Sequence, residues 1–426
     1  MEPILDNTQL FFLGDEMEGC ENLRKCELRF SDSNLIIKAS ALLYPEFVDA
    51  ENLFRELCKI KSQYVTKPLA LRKYREQGLV IVEKIVPFDR WLNDTNKVGM
   101  WKIFGNNQTC LGLGHSFQEK FQQIMFGLQA IHKSYGHGNL SSGVFLSADG
   151  NILLSNFLVF SVDTQSLRQD FQDFLALVDK AITAHPMPNQ VYVGTDPFPT
   201  HVLKDVKTVA NVDVERFEFQ LLDELFTMIL ARPITPSTAS LLYGAPLFWR
   251  ASHKMDFFTR LNMVIQSDNF NAKFHLEHGL NTALNSYFDT QQISKGTNQW
   301  SNLILPTSSL YEVLTFTDHG KLLQPKRLYL SNTGIIAFIR NYCAHRYFSV
   351  HAFNEIELIF PGITGIIYHE LVLGPFWKHA VVLNKPHHQY QLLQEIEETQ
   401  ANVGIQSEFA TWKTVEKHMM EEDTIW

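Results

Sequence analysis

Apolar positions change their period several times along the chain, and each change predicts an element. Leu35-Ile-Ile-Lys38 is a short apolar run of strand length that ends in a lysine. From Phe47 to Leu57 apolar residues recur at three- and four-residue intervals, which predicts a helix carrying Glu51. Gly78-Leu-Val-Ile-Val-Glu83 is a continuous apolar run bounded by glycine and predicts another strand. Asp94 to Leu113 is polar and rich in Gly and Asn, which predicts a loop. Ser116 to Lys133 predicts an amphipathic helix with Phe117, Phe121, Ile124, Leu128 and Ile131 on one face. Beyond it, Val144-Phe-Leu146 and Ile152-Leu-Leu154 flank Asp149-Gly150, and Asp-Gly between two apolar runs is a hairpin signal.

Helices are expected at about 168–184 and 213–231, with a Pro- and Gly-containing excursion between them over 184–208. From Pro246 onward the pattern turns helical, with helices near 251–266, 272–288, 332–345 and 362–373. Residues 391–426 are polar and acidic, a helix or a loose tail. The chain shows no internal repeat at the periods of solenoids or propellers. The pattern therefore predicts an α+β domain over 10–249, an all-α domain over 250–390 and a tail over 391–426. No Gly/Ser/Pro-rich spacer separates the domains at Trp249.

Composition narrows the class. With 426 residues, 45% of them hydrophobic, the chain can bury two large cores. It contains no uncharged apolar run long enough to span a bilayer, and its first residues lack the pattern of a signal peptide. Five scattered cysteines argue for a reducing compartment, the cytoplasm or the nucleus, and against a disulfide framework. Cys20 and Cys26 have no second pair of Cys or His at zinc spacing, so no metal site is expected. A net charge of −9 argues against a general nucleic-acid coat. The charge is uneven: Ala245–Tyr390 holds 12 Lys/Arg against 9 Asp/Glu, a balance of +3, so the remainder carries −12.

The order of motifs in the first half resembles a protein kinase. In that family a strand lysine pairs with a helix glutamate to hold nucleotide phosphates, and a catalytic loop and a metal-binding Asp-Phe-Gly follow. Here Lys38 ends a strand and Glu51 lies in the next helix. Tyr135-Gly-His137-Gly138-Asn139-Leu140 stands where His-Arg-Asp-Leu would be, and Leu154-Ser-Asn156-Phe157 where Ser-Asp-Phe-Gly would be. The chemistry has been removed. Asn139 replaces the aspartate base, and an amide has no usable basicity. Ser141 replaces the neighbouring lysine, and Gly143 and Val144 occupy the second-metal position. Asn156 is a neutral and poorer Mg²⁺ ligand than aspartate. Residues 10–34 contain no G-x-G-x-x-G phosphate loop. The resemblance implies a pseudokinase; ATP or ADP binding through Lys38 and Glu51 stays open.

The second half resembles one family in its motifs. Pro246-Leu-Phe248-Trp249 runs straight into a helix with paired phenylalanines, Phe257 and Phe258. Trp300 is followed by Ile304, and Ile335-Ile-Ala-Phe338-Ile-Arg340-Asn341-Tyr-Cys-Ala-His345 carries an Arg-Asn-x₃-His pattern. Phe360-Pro361 precedes a closing apolar segment. Together these resemble the kinase-extension nuclease (KEN) family, which includes RNase L and the unfolded-protein-response kinase/endoribonuclease of the ER membrane. The resemblance implies a protein-kinase-like bilobal domain followed by an all-α KEN-type ribonuclease domain. It also implies an RNA substrate and a homodimer, or a heterodimer with a related kinase/endoribonuclease.

RNA cleavage of this kind needs no cofactor and no metal. A base takes the 2′-hydroxyl proton, the oxygen attacks phosphorus, an acid protonates the leaving 5′-oxygen, and a 2′,3′-cyclic phosphate remains. By resemblance His345 would be the acid, Arg340 and Asn341 the phosphate contacts and Tyr329 a candidate base. Arg340 and His345 stand about 140° apart around a helix axis and can flank one pocket. Trp300 would stack an RNA base or pack the core. Two departures favour an alternative, a catalytically dead scaffold that binds or regulates a related enzyme. Gly334 stands where the family has an acidic residue, and the stretch from His345 to Phe360 is short.

Overall fold

The computed structural model describes residues 9–17, 20–30, 35–93, 101–104, 109–156, 163–184, 214–231, 236–266, 270–290, 300–304, 309–314, 331–346, 350–360 and 362–373. The fold is mixed α+β with an antiparallel sheet. The chain divides into two compact units. One takes Met1–Trp101, Gly114–Pro188 and Asp223–Tyr243; the other takes Lys102–Leu113, Asn189–Leu222 and Gly244–Trp426. The units thus interleave in sequence, where the hydrophobic pattern predicts two contiguous blocks meeting at Trp249. No helix among the described residues is long and apolar enough to cross a membrane.

The first unit opens with β1 (Gln9–Met17), β2 (Cys20–Phe30) and β3 (Ile36–Tyr44). Helix α1 (Phe47–Lys59) precedes β4 (Pro68–Tyr74) and β5 (Gln77–Glu83), and the sheet order is β1-β2-β3-β5-β4. Alternate residues of the strands, among them Cys26, Leu28, Ala39, Ala41 and Ile81, form a core cluster on one side. Helix α1 buries Ala50, Leu53, Phe54 and Leu57, one stripe at helical spacing. Gly78 makes this seat possible: a Cβ there would lie 2.3 Å from Ala50 Cβ. Gly78 pairs with Tyr44 across β3 and β5, so the start of α1 sits over the far end of β3.

Strand β6 (Ile85–Pro87) and the short helix α2 (Phe88–Leu92) follow. Strands β7 (Trp101–Phe104) and β8 (Thr109–Leu113) pair with each other, which corrects the loop expected over 94–113. The apolar residues Trp101, Ile103, Phe104, Leu111 and Leu113 stand on either side of a polar stretch, a pattern too short to stand out from its surroundings. The ribbon also means that the second unit is not wholly helical, since Lys102–Leu113 belongs to it.

Helix α3 (His115–Ile131) buries Phe117, Phe121, Ile124, Leu128 and Ile131, the face its period predicts. The short helix α4 (Leu140–Gly143) leads into the expected hairpin, β9 (Val144–Ser147) and β10 (Ile152–Leu154). Gly150 has φ +77°, the left-handed turn residue that Asp-Gly supplies. Val65 forms a parallel bridge to Leu154, with Thr66 N–H donating to the Leu154 carbonyl at 3.0 Å. Helix α5 (Thr164–Ala184), helix α6 (Val214–Leu230) and helix α7 (Pro236–Tyr243) complete the series; α6 contributes its residues from Asp223 onward to this unit. Phe171, Phe174 and Phe226 interlock in its core.

The second unit packs α8 (Ala251–Gln266), α9 (Phe270–Thr290), α10 (Ser309–Leu314), α11 (Gly334–His345), α12 (Val350–Ile359) and α13 (Ile363–Leu373). Trp249 is buried, stacks on His253 with centroids 4.1 Å apart, and meets Tyr368 edge-on. Helix α11 packs on α8 and is buried from Gly334 to Ile339. The Tyr342 hydroxyl ties α11 to Glu355 of α12, and a buried Lys254–Glu357 pair ties α8 to α12.

Candidate functional site

In the first unit each expected kinase position has a different neighbour from the one the resemblance implies. Lys38 is exposed on β3, across the ladder from Glu27. Glu51 is bonded to Arg55 at 3.1 Å, one turn along its own helix. The pair expected between Lys38 and Glu51 is not formed. Lys38 lies six residues before Tyr44, about 20 Å along an extended strand, and Glu51 follows Ala50, which sits over the Tyr44 end. Tyr44 is the β3 residue that reaches Asn156: its hydroxyl donates to Asn156 Oδ1 at 2.8 Å. Asn156 adopts φ +63°, a left-handed conformation that Asn tolerates better than most residues. Burial pushes the Tyr44 phenol far up, with the Asp49 charge adding to it, so it remains a neutral donor.

Gly143, at the position where the resemblance would put a second metal ligand, has no room for a side chain. A Cβ on Gly143 would lie 2.2 Å from His137 Cε1 and 2.5 Å from the Ser155 carbonyl oxygen. The Ser155 N–H donates to the Gly143 carbonyl at 2.9 Å, which fixes the approach. Asn139 is half-buried, with its N–H donated to His137 Nδ1 at 3.3 Å, and Ser141 is exposed.

Sequence reasoning missed what holds this loop. Asp170 on α5 is fully buried and accepts the backbone N–H groups of His137 at 2.7 Å and Gly138 at 2.6 Å. Its Oδ2 also lies 2.8 Å from His132 Nε2, and His132 Nδ1 lies 2.6 Å from the Tyr243 hydroxyl. Burial pushes the Asp170 carboxyl up, but the His132 hydrogen bond, the histidine charges and the backbone amide outweigh it, and it ends below its usual range. Burial lowers His137 to about 4, with the nearby Asp170 charge opposing, so its ring is neutral near pH 7. A second tie joins Tyr135 to Glu56 of α1, which Lys59 also bonds at 2.9 Å. An aspartate 33 residues after its partner leaves no local spacing signal.

In the second unit the residues of interest gather at one helix end. Positions 334–339 of α11 are buried, whereas Arg340, His345 and Arg346 are exposed and Asn341 is half-buried. Arg340 Nη1 donates to Asn341 Oδ1 at 3.0 Å, which couples the two expected phosphate contacts. The helix closes at Arg346, whose N–H reaches the Tyr342 carbonyl at 3.1 Å and the Cys343 carbonyl at 3.2 Å. Its guanidinium carbon lies 5.9 Å from the centroid of the Tyr342 ring. Tyr329, the candidate base, lies outside the described residues. Trp300 is fully buried against Phe338 and Phe360, and its Nε1–H donates to the Ser331 carbonyl at 3.1 Å. Of its two readings the packing one holds, and Trp300 has no face to offer an RNA base. Gly334 is buried, with its N–H donated to Ser331.

No protein-family model matches the chain, and no curated protein is significantly similar to it in sequence.

Proposed function

We propose that the protein is a metal-independent endoribonuclease with a pseudokinase scaffold, active as a dimer. The observation that carries this reading is the exposed end of α11, where Arg340, Asn341 and His345 project from a helix otherwise buried in the second unit. A rigid, buried helix is the support that precise placement of reacting groups requires. In the reaction Arg340, aligned by Asn341, neutralises the phosphorane oxygens, and His345 gives its proton to the leaving 5′-oxygen. The 2′-hydroxyl gives its proton to a base, for which Tyr329 is the candidate, and its oxygen bonds to phosphorus as the P–O5′ bond breaks, leaving a 2′,3′-cyclic phosphate and a 5′-hydroxyl. The reaction as written uses no metal and no nucleotide.

The first unit supports the scaffold role in three ways. Its five-stranded sheet carries Lys38 on the third strand with a helix before the fourth, the order in which kinases place their lysine and glutamate. Its would-be metal positions are engaged by Tyr44 at Asn156 and by His137 at Gly143. Only residues 157–163 lie between Asn156 and α5, too few for a peptide-binding activation segment.

One observation favours the alternative, a catalytically dead scaffold that regulates a related enzyme: Gly334 provides no carboxylate at the start of α11. The deciding experiment incubates the full chain at high concentration with a structured RNA in EDTA, beside His345→Ala. Cleavage to cyclic-phosphate ends that disappears in the variant is expected. A sedimenting dimer that leaves the RNA intact would replace this reading with the scaffold.

A further inference from the structure

We propose that Arg346 is a second phosphate-binding residue of the α11 site, so that two guanidinia grip the backbone of a single-stranded RNA around His345. For the identity of its ligand this rests on the ribonuclease reading; the geometry that suggests an anion does not. In the second unit, Lys254 is bonded to Glu357 and Arg260 to Asp256 at 2.7 Å. Arg340 and Arg346 differ from these. Both are exposed, and neither is paired with a carboxylate among the described residues. Two guanidinia without a carboxylate partner among the described residues therefore stand within one stretch of seven residues, with the candidate acid His345 beside them.

Arg346 is also held in place. Its N–H closes the helix onto the Tyr342 and Cys343 carbonyls, and its guanidinium lies over the Tyr342 ring. That ring is itself buried and tied by its hydroxyl to Glu355 of α12. A guanidinium held over an aromatic ring keeps its N–H donors for an anion and loses less side-chain entropy on binding one. Arg346 caps the helix six residues after Arg340, about 9 Å further along the axis, and Arg340, His345 and Arg346 are spread around that axis at intervals of about 140°, 100° and 120°, so the three ring its C-terminal end. A strand laid across this helix end would meet Arg340 with one phosphate and Arg346 with another, with His345 at the same end. Such a clamp reads the backbone and not the bases.

The test uses the full chain and a single-stranded 2′-O-methyl oligonucleotide, which cannot be cleaved, with binding followed by anisotropy across a salt series. Arg346→Gln should weaken binding about ten-fold at low salt, the loss of one charge-assisted contact. It should also reduce the slope of log K against log salt by about 0.7, one phosphate fewer. Arg346→Lys should recover the slope, and on cleavable RNA Arg346→Gln should raise KM while kcat changes little. An unchanged slope, equal losses in the Lys and Gln variants, or a shifted melting temperature would overturn the proposal in favour of a packing role. Failure of the wild type to bind the oligonucleotide, or tighter binding of a Glu-rich peptide, would overturn it too. A slope change without any cleavage in EDTA would leave the phosphate clamp standing and remove the ribonuclease reading.

Discussion

The two units treat similar side chains in opposite ways. In the first, Asn156, His137 and Asp170 are each engaged by a partner within the unit, and His137 and Asp170 are fully buried. In the second, Arg340, His345 and Arg346 project from the end of a helix whose other face is sunk in the core. A buried polar group must be hydrogen-bonded or it destabilises the fold, so the first set is bound to serve structure. An exposed side chain has no such duty, and its placement on a buried helix is what a reactive or binding group needs. The comparison thus moves the search for chemistry away from the motif-rich first half and onto the last two turns of α11.

Removing Asp170 is the severest way to test this contrast. Asp170→Ala strands two backbone N–H groups and His132, and should destabilise the first unit by on the order of 4 kcal/mol in urea unfolding. Loss of less than about 1 kcal/mol would mean that the loop is held by something else. Acid should act in the same direction. His137 titrates in the fold at about 4, below its ordinary 6.5, so between those values the unfolded chain binds a proton that the folded chain refuses. Stability should therefore fall by up to about 3 kcal/mol as pH drops from about 6.5 to about 4. Asp170, held below its usual range, adds a further loss as pH falls through its own folded value. A urea midpoint that stays flat from pH 7 to pH 4 would contradict the burial of His137.

A smaller effect tests the close approach at Gly143. Gly143→Asn supplies the side chain a kinase would carry there but drives its Cβ into His137 and the Ser155 carbonyl, so it should lower stability by about 2 kcal/mol. Combined with Asn139→Asp and Asn156→Asp it should still yield no phosphoryl transfer, and measurable ATP turnover would refute the closure. His345→Ala closes the series: it should abolish RNA cleavage while moving the melting temperature by less than about 2 °C. A large drop in melting temperature would make His345 structural and erase the contrast between the units.

The sequence makes some of this legible and hides the rest for identifiable reasons. Helix α3 and the β9–β10 hairpin are readable because period and turn chemistry agree locally, Phe117 to Ile131 in one case and Asp149-Gly150 in the other. Strands β1 and β2 are harder to see: β2 interleaves Glu21, Arg24, Lys25, Glu27 and Arg29 with its apolar residues and resembles a solvated surface. The exposed end of α11 is readable because Ile335 to Ile339 announces a buried helix and Arg340 breaks it. The Lys38–Glu51 expectation fails because spacing along the chain says nothing about where α1 lands on the sheet, which Gly78 and Ala50 decide. Asp170 and Tyr44 are invisible for the same reason, since each acts on a residue far away in sequence.

The contact around Gly143 also limits what that position can become. With His137 and the Ser155 carbonyl closed onto it, any side chain larger than hydrogen meets a clash before it can contribute anything of its own. A new side chain there becomes tolerable only once the His137 ring has been changed or moved and the Ser155 backbone has shifted. Variation at 143 is therefore coupled to variation around it: single steps are barred, and several changes have to arrive together.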